Sequence, residues 1–394
     1  MRVDYELLVS QFERLKQYWD GSRYHISNNE SLILLNQAIL KQYFGLQILD
    51  ERVRDEKLFP RIPGRALYCE YLTNSIVNPL LWLSEAAAYS CIDVGTGAYA
   101  MYAMLMVKML PPTVQVFATD ISPSSLENAA AVIRDNGLEN QIQLLCKGHE
   151  DNMFDVGQNG GAPLLVMCNP PFYSTRDEME ARRHSKTVTK ALVPLRGTDE
   201  ELVTDGGEIG FGKRMITDST SRTSDAPAWF TTLVAKYESL SPLVAELKQS
   251  RATDYHVVEL PCGDIRRWIL CWNFNNLKAL NLCKQLPAFS KHTTVRRVHM
   301  RAEIQLGPLG KRLAHECSGL IDYRDVGNGK LFVRAASGAV WTRRYRRNRS
   351  TGEESSAFVV LVHPSGVRVH WLEGCDPKTF QSFACFVERV GAKL

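Results

Sequence analysis

Between Tyr89 and Phe274 the chain alternates short apolar runs with helical stretches. That alternation restricts the fold more than any other feature of the sequence. Tyr89 to Val94, Val114 to Ala118, Ile142 to Cys146 and Leu164 to Cys168 read as strands. Helices are expected from about Ala98 to Met109 and from a Ser122 cap to about Arg134. Strands that are apolar throughout are buried on both faces, so the sequence predicts a layered α/β domain. "AWFTTLVA", "YHVVEL" and "RWILCWNF" add three strands. The last two are joined by a "PCGD" turn with no helix, so the final strand is expected to run antiparallel. A helix is expected over Glu208 to Ser219, and "SPLVAELKQS" reads as another, with Ser241 as cap and Pro242 in its first turn.

Ahead of this block, Leu8, Phe12, Leu15 and Trp19 fall on one helical face. Asn28 or Asn29 is the expected cap of a second helix, which Gly45 ends, and a further short helix is expected from about Leu67 to Trp82. After residue 275 a linker to residue 295 leads into a small α+β module. One hairpin is expected there around Ser337-Gly338 and a second through Pro364 to Gly366, with a terminal helix carrying Phe380, Phe383, Ala384 and Val387. A chain of 394 residues suits two domains. The expected division is 1–29, 30–275, 276–295 and 296–394.

Two stretches carry chemistry. In "CIDVGTGAYA", Gly95, Thr96 and Gly97 turn a strand into a helix, and Asp120 ends the second strand. Glycine permits the sharp turn and close ligand approach, and the carboxylate can accept both hydroxyls of a ribose. The third glycine of a dinucleotide site is missing, so a nucleoside without phosphates fits better, such as S-adenosyl-L-methionine. Asp93 is expected to face the sulfonium or amino group of that ligand. A GxG turn alone is weak evidence. It gains weight from "CNPPFY" at the end of the fourth strand. There the Asn169 side-chain oxygen and the Pro170 carbonyl can accept hydrogen bonds from one planar amine. Pro170 and Pro171 stiffen the turn, while Phe172 or Tyr173 can stack on the ring bearing the amine. Adenine has such an amine. Methyl transfer to it needs alignment more than a strong base, and an unpaired base is the cheaper target.

Basic residues follow. Arg176, Arg182, Arg183, His184, Lys186, Lys190 and Arg196 lie in a long polar stretch directly after this turn. From 291 to 350 there are 14 Lys and Arg against 4 Asp and Glu, and Arg343, Arg344, Arg346, Arg347 and Arg349 surround Tyr345. These segments read as phosphate-binding elements for RNA, the alternative being a solvated face. The ten cysteines form no CxxC pair and most sit in apolar runs, so buried thiols are expected, with no metal site. The first residues carry charge throughout, so no signal peptide is expected. Nor does any apolar run reach a membrane-spanning length.

The stretches "YFGL", "FPRIPGR", "CIDVGTGA", "ATDIS", "MCNPPFY", "DGGEIGFGKRMITDS" and "CGDIRRWILCWNF" resemble those of RNA N6-adenosine methyltransferases that act on U6 small nuclear RNA, relatives of bacterial 23S ribosomal RNA adenine methyltransferases. The resemblance covers about residues 1 to 275. It implies a Rossmann-like class I S-adenosylmethionine-dependent methyltransferase with a seven-stranded sheet. It also implies an N-terminal helical RNA-binding arm carrying Arg14 and Lys16, cofactor contacts at Arg65, Asp93, Gly95, Asp120 and Asn169, a flexible loop after Tyr173, and a monomeric enzyme of the nucleus, with the cytoplasm as the alternative, that methylates an unpaired adenosine in structured RNA. Two departures stand out. Tyr173 replaces a common Phe, and Gly263-Asp264 replaces a usual Gly-Arg, although Arg266 and Arg267 follow. Ribosomal RNA or protein glutamine methylation, and a non-catalytic RNA scaffold, are the alternatives.

Overall fold

The computed structural model describes residues 3–83, 89–157, 162–187, 197–221, 228–262, 265–280, 282–299, 304–335, 338–343, 345, 355–363 and 366–394. Seven strands form one sheet: β1 (Tyr89–Val94), β2 (Val114–Asp120), β3 (Ile142–Cys146), β4 (Ala162–Cys168), β5 (Trp229–Val234), β6 (Asp254–Cys262) and β7 (Ile265–Asn273). Their order is β3-β2-β1-β4-β5-β7-β6. β1 to β5 run parallel, and β7 is antiparallel to both neighbours, as the helix-free connection predicts. Every residue of β1 and of β5 is buried, because helices cover both faces. The strand order reverses between β1 and β4, and in such sheets the crevice at that reversal, beyond the carboxyl ends, is where ligands bind.

Local signals place most helices. Asn28, not Asn29, caps helix Asn29–Phe44, exchanging bonds with Ser31, and Gly45 ends it at φ 63°. Several expectations need correction. The first segment is a helix, Tyr5–Gln11, followed by a 3-10 helix, Glu13–Tyr18, because Phe12 leaves helical geometry at φ −116°, ψ 97°. The break turns Leu8 and Leu15 into the core and leaves Phe12 and Trp19 half-buried. The helix expected over Leu67 to Trp82 begins earlier, at Ile62, and passes through a π turn, Thr73–Val77, before Asn78–Leu83. Helix Leu240–Gln249 is capped by Ser239, not Ser241, since a 3-10 turn at Tyr237–Ser239 feeds it directly. Three of the nine described cysteines, Cys146, Cys375 and Cys385, are exposed, while five are buried.

A second, antiparallel sheet follows: β8 (Val295–Val298), β9 (Ile321–Asp325), β10 (Lys330–Ala335), β11 (Ser356–His363) and β12 (Gly366–Glu373), ordered β8-β12-β11-β10-β9. Helices Leu306–Glu316 and Pro377–Gly391 pack on one face, and Phe380, Phe383, Ala384 and Val387 are buried there. The β11–β12 hairpin forms where expected. Of the hairpin expected at Ser337-Gly338, Ser337 lies outside the described residues, and the described residues 338–343 form no strand. Both edges of β10 are already paired, by β9 and β11, so the next residues have no edge to join. Instead Ala339 to Thr342 turn, and Trp341 drops onto Phe383, with ring centres 5.0 Å apart.

The segment between the sheets ties them together. Leu280 donates its N–H to the Ser75 carbonyl of the π turn (2.8 Å), and Lys278 donates its N–H to Leu372 on β12 (2.7 Å). Leu280 is buried with Phe332, Ala357, Val359 and Leu372, and Trp82 and Leu83 pack against this group. Arg334 bonds the Leu83 carbonyl at 3.1 Å and Arg324 bonds that of Trp82. The side chain of Lys278 is fully enclosed, 3.9 Å from Asp254 and 4.7 Å from the centre of the Trp371 ring.

Candidate active site

A cavity of about 900 Å³ opens at the carboxyl ends of β1, β2 and β4. Its wall brings together Arg65, Gly95, Thr96, Gly97, Asp120 and Asn169. The turn after β1 owes its shape to Gly95 (φ 72°) and Gly97 (φ 68°), a region closed to most side chains. It is fastened to β2, since the Thr119 carbonyl accepts both the Gly95 and Thr96 N–H groups at 2.9 Å. Asp120 adds a second tie, one carboxylate oxygen accepting the Gly97 N–H at 2.8 Å and the other the Ser122 N–H at 2.9 Å. The Asp120 carboxylate is therefore held rigidly at the cavity wall.

Asp93 departs from expectation. It is completely buried and lies under the turn, outside the cavity wall. One of its oxygens accepts the Thr96 hydroxyl at 2.7 Å, while the other has no hydrogen-bond partner. Burial raises its pKa to about 7, opposed mainly by the Thr96 bond. A carboxyl group so placed shapes the glycine turn from beneath.

Asn169 and Pro171 line the cavity, Pro170 is buried behind them, and Phe172 and Tyr173 are half-buried. The Arg267 guanidinium stands 5.4 Å over the Phe172 ring, within cation–π range. Tyr173 contributes its backbone: its N–H bonds the Leu202 carbonyl (3.1 Å) and its carbonyl accepts the Thr204 N–H (2.9 Å). This bridge seats residues 198–207 beside the Asn-Pro-Pro turn. Gly207, at φ 59°, passes so close that a Cβ there would meet the Ser174 nitrogen at 3.3 Å. Behind it, buried Glu208 accepts the Ala235 and Lys236 N–H groups and the Ser239 hydroxyl at 2.6–3.0 Å, anchoring the helix Gly207–Thr220 to the end of β5.

Sequence reasoning missed Glu201. It lines the cavity, and one carboxylate oxygen accepts the Leu58 N–H (3.1 Å) and the Thr198 N–H (2.9 Å). Its other oxygen lies 3.9 Å from where a Gly97 Cβ would stand. The "GTDEEL" signal was present, a Thr-x-x-Glu capping box, but it marks a helix start and not a ligand site. Lys147, His149 and Asp151, just after β3, also line the cavity and were missed.

Arg65 lies 5.5 Å over the Tyr102 ring. Arg14 pairs with Asp50 at 2.7 Å and Lys16 with Glu13 at 2.6 Å, all on the surface. Arg182, Arg183 and Lys186 fall in helix Arg176–Thr187, but their side chains, and all of Lys190, lie outside the described residues. Arg343 is exposed, and Arg344, Arg346 and Arg347 lie outside the described residues. Among the described residues no cluster of His, Cys, Asp or Glu could hold a metal ion, and no helix is long and apolar enough to cross a membrane.

A Rossmann-like sheet whose cavity is lined by a glycine turn, a strand-end carboxylate and Asn169 of the Asn-Pro-Pro turn defines a class I methyltransferase. The match to the RNA methyltransferase family runs over residues 2–276, and the chain belongs to that family. It is similar to the U6 small nuclear RNA (adenine-(43)-N(6))-methyltransferase of Schizosaccharomyces pombe, 24% identical over 376 residues, spanning 92% of this chain and 94% of that protein. It is also similar to the ribosomal RNA large subunit methyltransferase F of Flavobacterium johnsoniae, 31% identical over 294 residues, spanning 70% of this chain and 91% of that one. The crystal structure of the human Mettl16 catalytic domain in complex with MAT2A 3'UTR hairpin 1 superposes with a TM-score of 0.59 at 25% identity, over 70% of this chain and 92% of the other.

Proposed function

We propose that this RNA methyltransferase uses S-adenosyl-L-methionine to form N6-methyladenosine at an unpaired adenosine of structured RNA, with U6 small nuclear RNA as the substrate and the nucleus as its place of action. The observation that carries this reading is the convergence of Asn169, the glycine turn and Asp120 on one cavity wall. Asp120 and the backbone of Gly95 to Gly97 would hold the nucleoside end of the cofactor, which supplies a methyl group on a sulfonium. Asn169 and the Pro170 carbonyl then accept the two N–H groups of the adenine amine and direct its lone pair toward that methyl. Phe172 offers its ring to the base, with Arg267 on its flank. The amine becomes acidic only as the new bond forms, so the chain supplies alignment and oriented dipoles.

In this reading residues 1–29 form an RNA-facing arm, 30–275 the catalytic domain, 276–295 a linker and 296–394 an RNA-binding module, acting as a monomer. Arg14 and Lys16 would exchange their carboxylate partners for phosphates, and Arg182, Arg183, Lys186, Lys190, Arg343, Arg344, Arg346 and Arg347 would add to the basic surface. Ribosomal RNA is the second reading, favoured by the higher identity of the bacterial relative. Its likeness extends over 294 residues, whereas the yeast relative is similar over 376, which spans the second sheet as well. The test is methylation of U6 transcript against 23S ribosomal RNA by wild type and Asn169→Ala. Loss of the amine acceptor should slow turnover on U6 by about 10²–10³-fold. Equal turnover by the variant would remove the assigned role, and preference for ribosomal RNA would replace the substrate.

A further inference from the structure

The second sheet carries a row of like charges that its own fold does not explain. In the register of the strands, Arg297 on β8 stands opposite Arg368 on β12, Arg368 opposite Leu361 on β11, and Leu361 opposite Lys330 on β10. Directly paired residues share a face, so these three cations lie in one line across four strands. The opposite face is the one buried against the helices: Val367, Val369, Leu331, Val333 and Val360 all belong to that core. Like charges directly opposite each other destabilise a sheet. Among the described residues, none of the three cations has a carboxylate within ion-pair distance. Arg297 is exposed, Arg368 is half-buried, and Lys330 has its ammonium 6.0 Å from the centre of the Trp82 ring.

The neighbouring row deepens the anomaly. His370, paired with Val359 and Val295, sits on the same face beside Arg368. It is 1% exposed, and neither ring nitrogen has a hydrogen-bond partner. Burial, and then the nearby Arg368 and Lys330, lower its pKa to about 4, so it stays neutral and adds no charge of its own. The same face continues to Phe332 and Leu372, which meet Leu280, Trp82 and Leu83 at the junction with the catalytic domain. The cationic row therefore borders the packed junction between the two sheets.

We infer that Arg297, Arg368 and Lys330 form a phosphate-contacting track for the RNA backbone, separate from the Arg343–Arg349 run and bordering the junction with the catalytic domain. This rests on the RNA reading above and assigns it a surface. Polyanion binding relieves the repulsion that the register creates, and strands hold the three cations at fixed spacing where a loop would not.

The experiment compares wild type, Arg368→Glu and Arg368→Leu for affinity to a full-length U6 transcript across a salt series, together with thermal stability. Arg368→Glu places a carboxylate opposite Arg297, so its melting temperature should hold or rise. Its RNA affinity should fall roughly tenfold, and the slope of log affinity against log salt should drop by about 1. Arg368→Leu should show the same loss of slope without the added acid, and it decides the question if the Glu variant folds poorly. Unchanged affinity and slope in both variants, with a wild-type chain that does bind and methylate RNA, would overturn the track and leave the enzymatic reading standing. A wild-type chain that neither binds nor methylates RNA would remove both. Capture of anionic phosphoinositide vesicles through Arg368, with RNA binding unaffected, would assign the row to a membrane surface and also overturn the inference.

Discussion

Glu201 reaches from the segment after the long polar stretch to the Leu58 N–H, 3.1 Å away, closing one side of the cavity that holds the glycine turn. The contact joins residues 143 positions apart. Because the same oxygen accepts the Thr198 N–H, one carboxylate fastens both its own helix start and the "LFP" loop.

Removing that carboxylate should loosen the pocket and leave the reacting groups in place. Glu201→Ala should weaken S-adenosylmethionine binding roughly fivefold to tenfold, the worth of about one hydrogen bond to a partly exposed charged group. Glu201→Gln keeps an acceptor and should recover most of the affinity. Calorimetric titration of the cofactor checks this. Equal loss in both variants would point to the negative charge and not to the clasp.

Asp93 makes a prediction about pH. Its pKa rises from an ordinary 3.8 to about 7 in the folded chain, chiefly through burial. The native state therefore holds this proton more tightly than the unfolded chain does. Its contribution to stability is fully present below about pH 4 and is lost as pH rises toward 7. Buried His256 and His370 pull the other way, because burial lowers their pKa values to about 3 and about 4, and stability from them is lost as pH falls below 6.5. The difference between wild type and Asp93→Asn isolates the carboxyl. The variant should gain stability relative to wild type between pH 5 and pH 8, read from urea midpoints. A constant difference across that range would show that Asp93 titrates normally.

These two residues also show what the sequence could convey. The strands of the first sheet were legible because burial on both faces writes itself as unbroken apolar runs, and the glycine turn because left-handed backbone requires glycine. Asp120 and Asn169 were legible as strand-end residues. Asp93 was named, yet whether it faces the ligand or lies beneath the turn depends on packing that no spacing encodes. Glu201 was hidden in a polar stretch, since its partner Leu58 is brought near only by tertiary structure. The hairpin expected after β10 shows the same limit from the other side. Local turn chemistry was right for a bend, but a strand also needs a vacant edge, and β10 has none.

Lys278 offers the sharpest test of how the two sheets are joined. Its side chain is 1% exposed and that of Asp254 2%, with 3.9 Å between their charged atoms. The lysine ammonium also donates to the Asn276 carbonyl at 3.2 Å and lies over Trp371 of the second sheet. Burial raises the Asp254 pKa to about 7 and lowers that of Lys278, while each partner's charge opposes the shift of the other. Replacing only Lys278 with Met strands the Asp254 carboxylate and should cost about 3–5 kcal/mol in the range expected for a broken buried pair. Pairing it with Asp254→Asn removes the stranded charge, so the double variant should recover much of that loss. Urea denaturation of the two single variants and the double variant yields the coupling directly. Additive losses would mean that Lys278 acts through its packing on Trp371 and not through the ion pair.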